Sequence, residues 1–203
     1  MDDDDMRRGK PTVHRKWDET TAVLAGDALQ ALASQLVTHT ACPADRRLEL
    51  VAGLAVAAGL RGMVGGQARD IAAESAETPL TLEEITALQA GKTGALISWS
   101  CGAGAVMAGE STGPLRRYGN CLGLAFQIWD DVLDVEGDAA TVGKAVGKDA
   151  DRGKATFVSL LGMEGAKARA QELVHEACTS LDVYGDAADA LRDAARFVIS
   201  RRN

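Results

Sequence analysis

Apolar residues recur at helical spacing along most of this chain, and its four prolines stand where one such pattern ends or the next begins. No run of alternating apolar and polar residues is long enough to predict a strand, and we find no internal repeat. The predicted helices are residues 17–39, 45–75, 82–109, 114–136, 155–181 and 187–199. The sequence therefore predicts an all-α bundle that folds as a single domain over residues 1–203.

Three segments add detail to this pattern. The stretch "LVAGLAVAAGL" is apolar on all sides, which predicts a central position for the helix over 45–75. Thr81 and Glu84 have the spacing of a capping box, which predicts the start of the next helix. Within that helix, the uncharged run over 93–109 is shorter than the ~20 apolar residues of a membrane span. We interpret it as a buried helix and expect no stable membrane insertion.

Charge and cysteine usage narrow the function classes. The chain has 29 acidic and 22 basic residues and a net charge of -7, so it lacks the basic surplus of a nucleic-acid-binding protein. Its four cysteines are scattered without metal-ligand spacing, which argues against a zinc site or a disulfide framework. We expect reduced cysteines and a cytoplasmic protein.

The segment "GLAFQIWDDVLDVEGD" carries the strongest chemical signal. Asp130 and Asp134 are four residues apart and share a helix face, with Asp131 beside them and Gln127 one turn earlier. Two carboxylates about 4 Å apart repel by roughly 4 kcal/mol at an effective dielectric near 20, so a positive partner is expected. Oxygen ligands without histidine or cysteine suit Mg²⁺. The alternative is an acidic helix end exposed to water.

Basic residues lie at separate points of the chain, and each taken alone is most simply a solvated side chain. "GKT" at 91–93 is not a phosphate-binding P-loop, because Thr86 stands where that motif requires glycine. Dispersed cations together with a carboxylate cluster suit a diphosphate held both by Mg²⁺ and by direct hydrogen bonds. In "GGQARD", either the glycines serve close helix packing, or Gln67 and Asp70 belong to a site.

These motifs resemble those of the trans-polyprenyl diphosphate synthases, most closely the bacterial farnesyl diphosphate synthases. "DDVLD" resembles the second aspartate-rich motif of that family. The segments "DDMRRGKPTVHRKWDETTAVLAGDALQ", "GGQARD", "GKTGAL" and "GKDADRGKATFVSLLG" match the same family in the same order. The resemblance implies an isoprenoid synthase helical bundle, usually a homodimer, that condenses isopentenyl diphosphate with an allylic diphosphate.

The resemblance also implies a metal site and substrate contacts. Mg²⁺, with Mn²⁺ as a possible substitute, would be held by four carboxylates: Asp2, Asp130, Asp131 and Asp134. The substrates would be held by a second group of residues: Arg7, Lys92, Lys144 and Lys154 for the allylic diphosphate, Arg8 for isopentenyl diphosphate, and Gln67 for substrate more generally. Thr93 and Gln127, together with Lys92, would act at the reacting carbon, and the terminal Arg201 and Arg202 would close over the second substrate.

The chain departs from the family pattern at its first motif. Counted back from Arg7 and Arg8, Asp2 takes the last position of the first aspartate-rich motif, and the two leading aspartates are absent. The sequence thus corresponds to the C-terminal two-thirds of the family domain, and we expect impaired prenyl transfer. Geranyl or geranylgeranyl diphosphate synthase, a non-catalytic partner subunit and a terpene cyclase remain alternatives. "GKTGAL" with the downstream "GKAT" favours chain elongation over cyclisation.

Overall fold

A computed structural model describes residues 3–76, 78–136 and 155–201 of the chain. Helices dominate these residues, in agreement with the predicted all-α bundle. The elements are β1 Met6–Arg7, β2 Lys10–Pro11, α1 Val13–Lys16, α2 Glu19–Thr38, α3 Ala44–Ala58, α4 Met63–Glu74, α5 Leu82–Gln89, a π-helical turn Ala90–Gly94, α6 Ala95–Ala108, α7 Gly113–Glu136, α8 Phe157–Ser180, a 3₁₀ segment Asp182–Ala188 and α9 Asp189–Val198. The loop predicted between residues 136 and 155 lies almost entirely outside the described residues.

A short β-hairpin near the N-terminus was not predicted. β1 and β2 pair antiparallel, and Arg8 and Gly9 form the connection with positive φ values of 51° and 72°. A two-residue hairpin turn with positive φ at both positions favours glycine, which explains Gly9. These are the only strands among the described residues. They were not predicted because two residues are too few for an alternating pattern to be visible.

The prediction of a single helix over 45–75 is wrong, because the structure divides this stretch into α3 and α4. The break runs from Gly59 to Gly62, where both glycines leave the helical region of φ and ψ. The predicted central position is also wrong: α3 buries Leu50 and Leu54, whereas Leu48 on the same helix is 70% exposed. α3 is therefore a one-sided helix of the bundle.

Contacts with α6 hold α3 in place. The Trp99 indole N–H donates to the Leu50 carbonyl at 3.2 Å, and Arg46 donates to the Met107 carbonyl at 2.8 Å. By length and composition alone, the stretch Ala44–Glu74 is the one helical candidate of the described chain that is long and apolar enough to cross a membrane. The core helix of a soluble protein passes the same test, and both halves of this stretch pack within the bundle.

The helix predicted over 82–109 is present and contains an irregular turn. Thr81 caps it as predicted: its side chain accepts from the Glu84 N–H at 3.3 Å, and the Glu84 carboxylate accepts from the Thr81 N–H at 2.9 Å. This backbone hydrogen bond from Thr81 lowers the pKa of Glu84. The π-helical turn then joins α5 to α6 and contains Lys92 and Thr93.

The core lies between α7 and α8, with α9 packed beside them. Tyr118, Ile128 and Val132 of α7 and Phe157 of α8 are among its largest buried side chains. The Tyr118 hydroxyl donates to the Leu191 carbonyl of α9 at 2.7 Å, and burial, aided by two nearby thiols, raises the pKa of Tyr118 to about 12. Tyr118 therefore remains neutral and anchors α9 to α7.

Candidate active site

A cavity of about 230 Å³ lies between α4, α5, α7 and the start of α8. Its lining combines polar and apolar residues. The polar residues are Asp70, Glu74, Gln89, Lys92, Gln127, Asp131 and Thr156, and the apolar residues include Pro79, Leu80, Ile85 and Leu88. Such a cavity can hold a molecule with a charged end and a hydrocarbon end.

Lys92 is held in this cavity by an ion pair. Its ammonium donates to Asp70 Oδ2 at 2.8 Å, and Asp70 is only 7% exposed. Gly66 makes this contact possible, because a Cβ atom there would lie 2.1 Å from the Lys92 backbone nitrogen. Within "GGQARD", Gly66 therefore allows close helix packing, and Asp70 lines the cavity.

The π-helical turn places Thr93 beside α7. The Thr93 hydroxyl donates to Gln127 Oε1 at 3.3 Å, and the Gln127 amide donates to Asp131 Oδ1 at 3.2 Å. Asp131 Oδ2 accepts the Phe157 backbone N–H at 2.8 Å, so this carboxylate also caps the first turn of α8. These bonds fix the orientation of the Gln127 amide, with its oxygen toward Thr93.

Asp130 faces a different partner from Asp131. Its Oδ1 accepts a hydrogen bond from the Arg201 guanidinium, and the two side chains are 30% and 11% exposed. The positive partner that the repulsion between carboxylates requires is therefore an arginine in the segment that follows α9. Neither the spacing nor the resemblance predicted this ion pair.

The aspartates of α7 offer the oxygen ligands that a hard cation prefers, although they do not by themselves form a complete coordination shell. Among residues 3–76, 78–136 and 155–201, no group of three or more histidine, cysteine, aspartate or glutamate side chains is arranged to hold a metal ion. Asp130 and Asp134 nevertheless offer oxygen ligands on one helix face, and the guanidinium at Asp130 demonstrates that this position accepts positive charge. A cation bound here would complete its shell with ligands from outside α7.

The remaining predicted residues lie elsewhere or outside the described chain. Arg7 and Arg8 are exposed in the hairpin, whose hydrogen bonds include Thr12 to Asp4 and Asp5. Gln67 is half-buried on α4 and does not line the cavity. The other predicted residues fall outside the described residues: Asp2, Lys144, Lys154 and Arg202.

Sequence reasoning missed three polar residues of the cavity wall: Glu74, Gln89 and Thr156. Glu74 follows Asp70 by four residues on α4, so both carboxyl groups face the cavity. This spacing was visible in the sequence, but the predicted helix over 45–75 gave no reason to prefer that face. The break before α4 and its contact with the π-helical turn define the face that lines the cavity.

Comparison with known proteins places this arrangement in context. A family profile described as "Polyprenyl synthetase" matches residues 1–191. The chain is 43% identical to a farnesyl diphosphate synthase of Escherichia coli strain K12, in a match that covers 99% of this chain and 70% of that protein.

Solved structures agree with the sequence match. An FPP/GFPP synthase from Zymomonas mobilis superimposes with a TM-score of 0.87 and 48% identity, covering 98% of this chain and 68% of that one. A geranyltransferase from Helicobacter pylori, crystallised with magnesium and isoprenyl diphosphate, gives a TM-score of 0.83 and 38% identity, covering 98% and 66%. The fold of this chain is therefore that of the isoprenyl synthase helical bundle.

Proposed function

The chain belongs to the polyprenyl synthetase family, and from this premise we propose that it condenses isopentenyl diphosphate with an allylic diphosphate, dimethylallyl or geranyl diphosphate, to give farnesyl diphosphate. One observation carries the proposal: Lys92 and Gln127 line the same cavity, and Thr93 bonds to Gln127 beside it. We treat residues 1–203 as one polyprenyl synthase domain.

We assign binding of the diphosphate end of the allylic substrate to Lys92. Its ammonium keeps two donors beyond the one given to Asp70, and its side chain is 28% exposed toward the cavity. Asp70 therefore directs the ammonium while leaving it able to bind phosphate oxygens. Arg7, Lys144 and Lys154 are proposed as further contacts to this diphosphate, Arg8 as a contact to isopentenyl diphosphate, and Gln67 as a substrate-binding residue more generally.

We assign stabilisation of the cation at the reacting carbon to oxygen atoms near the π-helical turn. Loss of diphosphate leaves an allylic cation, which the double bond of isopentenyl diphosphate attacks before a proton is lost. Gln127 Oε1 and the Thr93 hydroxyl oxygen supply negative partial charge that is already oriented by hydrogen bonds. Ile85 and Leu88 also line the cavity, and their apolar side chains suit the hydrocarbon chain.

Mg²⁺ is the proposed metal, with Mn²⁺ as a possible substitute. Asp130 and Asp134 would hold it on α7, and Asp2 and Asp131 remain predicted ligands. When bound, the metal neutralises the charge that develops on the departing diphosphate. Asp131 already accepts two N–H donors, so we assign its first role to orienting Gln127.

Assembly and location complete the proposal. We propose a cytoplasmic homodimer that binds isopentenyl and allylic diphosphates, without nucleic acid and without stable membrane insertion. The four cysteines are free, as expected in a reducing compartment. α2 supports the dimer, because its 20 residues include none that is buried within the chain.

A product assay tests the proposed function. The purified chain is incubated with Mg²⁺ and an excess of labelled isopentenyl diphosphate, with dimethylallyl diphosphate in one reaction and geranyl diphosphate in another, and the products are separated by chain length. We expect the fifteen-carbon product in both reactions. A twenty-carbon product would favour a geranylgeranyl diphosphate synthase, and a ten-carbon product from dimethylallyl diphosphate without any product from geranyl diphosphate would favour a geranyl diphosphate synthase. Diphosphate binding without any product would favour a non-catalytic partner subunit.

The same assay tests the role of Lys92. We expect Lys92→Gln to lower kcat/KM for the allylic substrate by about 100-fold, because it removes a charged donor to the leaving group. Lys16→Gln is the matched control, since Lys16 is exposed on α1 against the Trp17 ring. Equal activity of both variants would contradict the assignment.

A further inference from the structure

We propose that Arg201 is an internal counter-cation for Asp130, and that binding of a divalent cation at Asp130 displaces its guanidinium. The inference rests on the proposed cation site of α7, and it adds a role for the segment that follows α9. It differs from the closing role over the second substrate that the resemblance implies for the same residue.

The first step is the contact itself. Arg201 Nη2 donates to Asp130 Oδ1, and the guanidinium lies 4.2 Å from the centre of the Phe126 ring. Arg201 is 11% exposed, so this charge is largely removed from water, where it is held by a carboxylate and an aromatic face. These two contacts hold the Arg201 guanidinium in a defined position at the site.

The second step is how the backbone holds Arg201 there. The Arg201 carbonyl accepts the Trp129 indole N–H at 3.2 Å, and the Arg201 N–H donates to the Phe197 carbonyl at 3.0 Å. Trp129 and Asp130 are neighbours on α7. The segment that follows α9 is therefore attached to α7 at Trp129 and at Asp130, the first acid of the "DDVLD" motif.

The third step is electrostatic. Arg201 and a divalent cation use the same carboxylate, and two positive charges a few ångströms apart repel strongly in a partly buried site. Asp130 is still 30% exposed, so a cation from solution can reach it. The ion pair therefore stabilises the Asp130 carboxylate while no metal is bound. Metal binding must break this ion pair, which lowers the affinity of the site for the metal.

A metal-binding experiment tests the proposal. Mg²⁺ is titrated calorimetrically into the full chain in the presence of inorganic diphosphate, for the wild type and for Arg201→Gln. We expect Arg201→Gln to bind Mg²⁺ about fivefold more tightly, because no ion pair has to be broken first. Arg196→Gln is the matched control, since Arg196 lies on α9 and pairs with the exposed Asp193 at 2.9 Å.

Hydrogen exchange supplies a second readout. In the wild type, Mg²⁺ with diphosphate is expected to speed exchange of the backbone amides of Ser200 and Arg201, which donate to the Phe197 carbonyl. Arg201→Lys keeps the charge but loses the planar fork, so we expect an intermediate Mg²⁺ affinity. This variant also separates the effect of charge from any loss of folding in Arg201→Gln.

Three results would overturn the proposal: weaker Mg²⁺ binding by Arg201→Gln, unchanged affinity, or unchanged exchange on addition of Mg²⁺. Weaker binding would mean that the guanidinium orients Asp130 for the metal. The proposed function has its own test in product formation. A chain that makes no prenyl product but meets these metal-binding expectations would contradict that function and leave the inference standing.

Discussion

Asp130 and Asp131 are adjacent in the sequence and have different environments. Successive residues on a helix point about 100° apart, so Asp130 meets Arg201 while Asp131 turns toward the start of α8. Asp131 is 6% exposed, and its two oxygens accept N–H donors from Gln127 and Phe157. The spacing predicted which acids share a face, but the partner of Asp131 lies 26 residues further along the chain.

Substitutions of Asp131 should separate orientation of Gln127 from stability. Asp131→Asn keeps an oxygen for the Phe157 N–H but presents an NH₂ group to Gln127, whose amide must then turn over. We expect a lower kcat, a nearly unchanged KM and a small loss of stability. Asp131→Ala removes both acceptors and should lower the free energy of unfolding by about 1–3 kcal/mol in urea.

The exposed Asp189 on α9 provides a control for these substitutions. Asp189→Asn changes one charge and breaks a surface pair with Arg192, so both kcat and stability should stay near the wild-type values. If Asp131→Asn had the kcat of the wild type, the orienting role of Asp131 would be refuted. If Asp131→Asn were as unstable as Asp131→Ala, the Asn side-chain oxygen would not replace the carboxylate as acceptor of the Phe157 N–H.

At the level of elements, the sequence predicted the helices better than their interruptions. Apolar periodicity and caps indicated six helices, and each has a counterpart in the structure. Periodicity did not reveal the break between α3 and α4, since one glycine costs a helix only about 1 kcal/mol. It also did not reveal the π-helical turn, whose i to i+5 bonding leaves no sequence pattern. α4, which follows the break, contacts the π-helical turn where Gly66 meets Lys92.

Two glycine-to-alanine substitutions should therefore have opposite effects on stability. In Gly66→Ala the new Cβ would meet backbone atoms of Gly91 and Lys92, the nearest at 2.1 Å, and these cannot move without displacing the π-helical turn. We expect a loss of about 1–3 kcal/mol in the free energy of unfolding and weaker binding of diphosphate. Gly104→Ala, on α6, meets no atom within 4 Å and should gain about 0.5–1 kcal/mol.

Urea unfolding of the two variants, with calorimetric titration of inorganic diphosphate, measures both effects. Both positions lie inside helices, so helix propensity alone predicts stabilisation in each case. A stabilised Gly66→Ala variant with normal diphosphate binding would show that the close approach of α4 is not required by the site.

For the whole molecule, the site depends on residues that are far apart in the sequence. The cavity joins Asp70 on α4, Lys92 in the π-helical turn and Gln127 on α7, and Arg201 reaches α7 from the end of α9. The family resemblance predicted roles for Lys92, Thr93 and Gln127, and the structure brings these three residues together at the cavity. The sequence could not assign the pairs Lys92–Asp70 and Arg201–Asp130, because a pairing between distant residues is set by the packed bundle.

Apolar residues exposed on α2 bear on the proposed homodimer. Leu24, Leu29, Leu32 and Leu36 lie within one broad stripe of this helix, and each is at least 44% exposed. Val23 on the same helix points away from the stripe and is 63% exposed. An exposed stripe of this kind is typical of a surface that another protein covers, which supports the proposed homodimer.

Two substitutions on α2 can test whether a second copy covers the stripe. Leu29→Lys places a charge within it, and Val23→Lys makes the same kind of change outside it, at residues that are 64% and 63% exposed. Neither should alter folding of the single chain, because both side chains already face solvent. We expect light scattering after size-exclusion chromatography to give a dimer for the wild type and for Val23→Lys, and a monomer at micromolar concentration for Leu29→Lys. A wild-type chain that remains monomeric would refute the dimer, and a dimeric Leu29→Lys variant would move the interface away from this stripe.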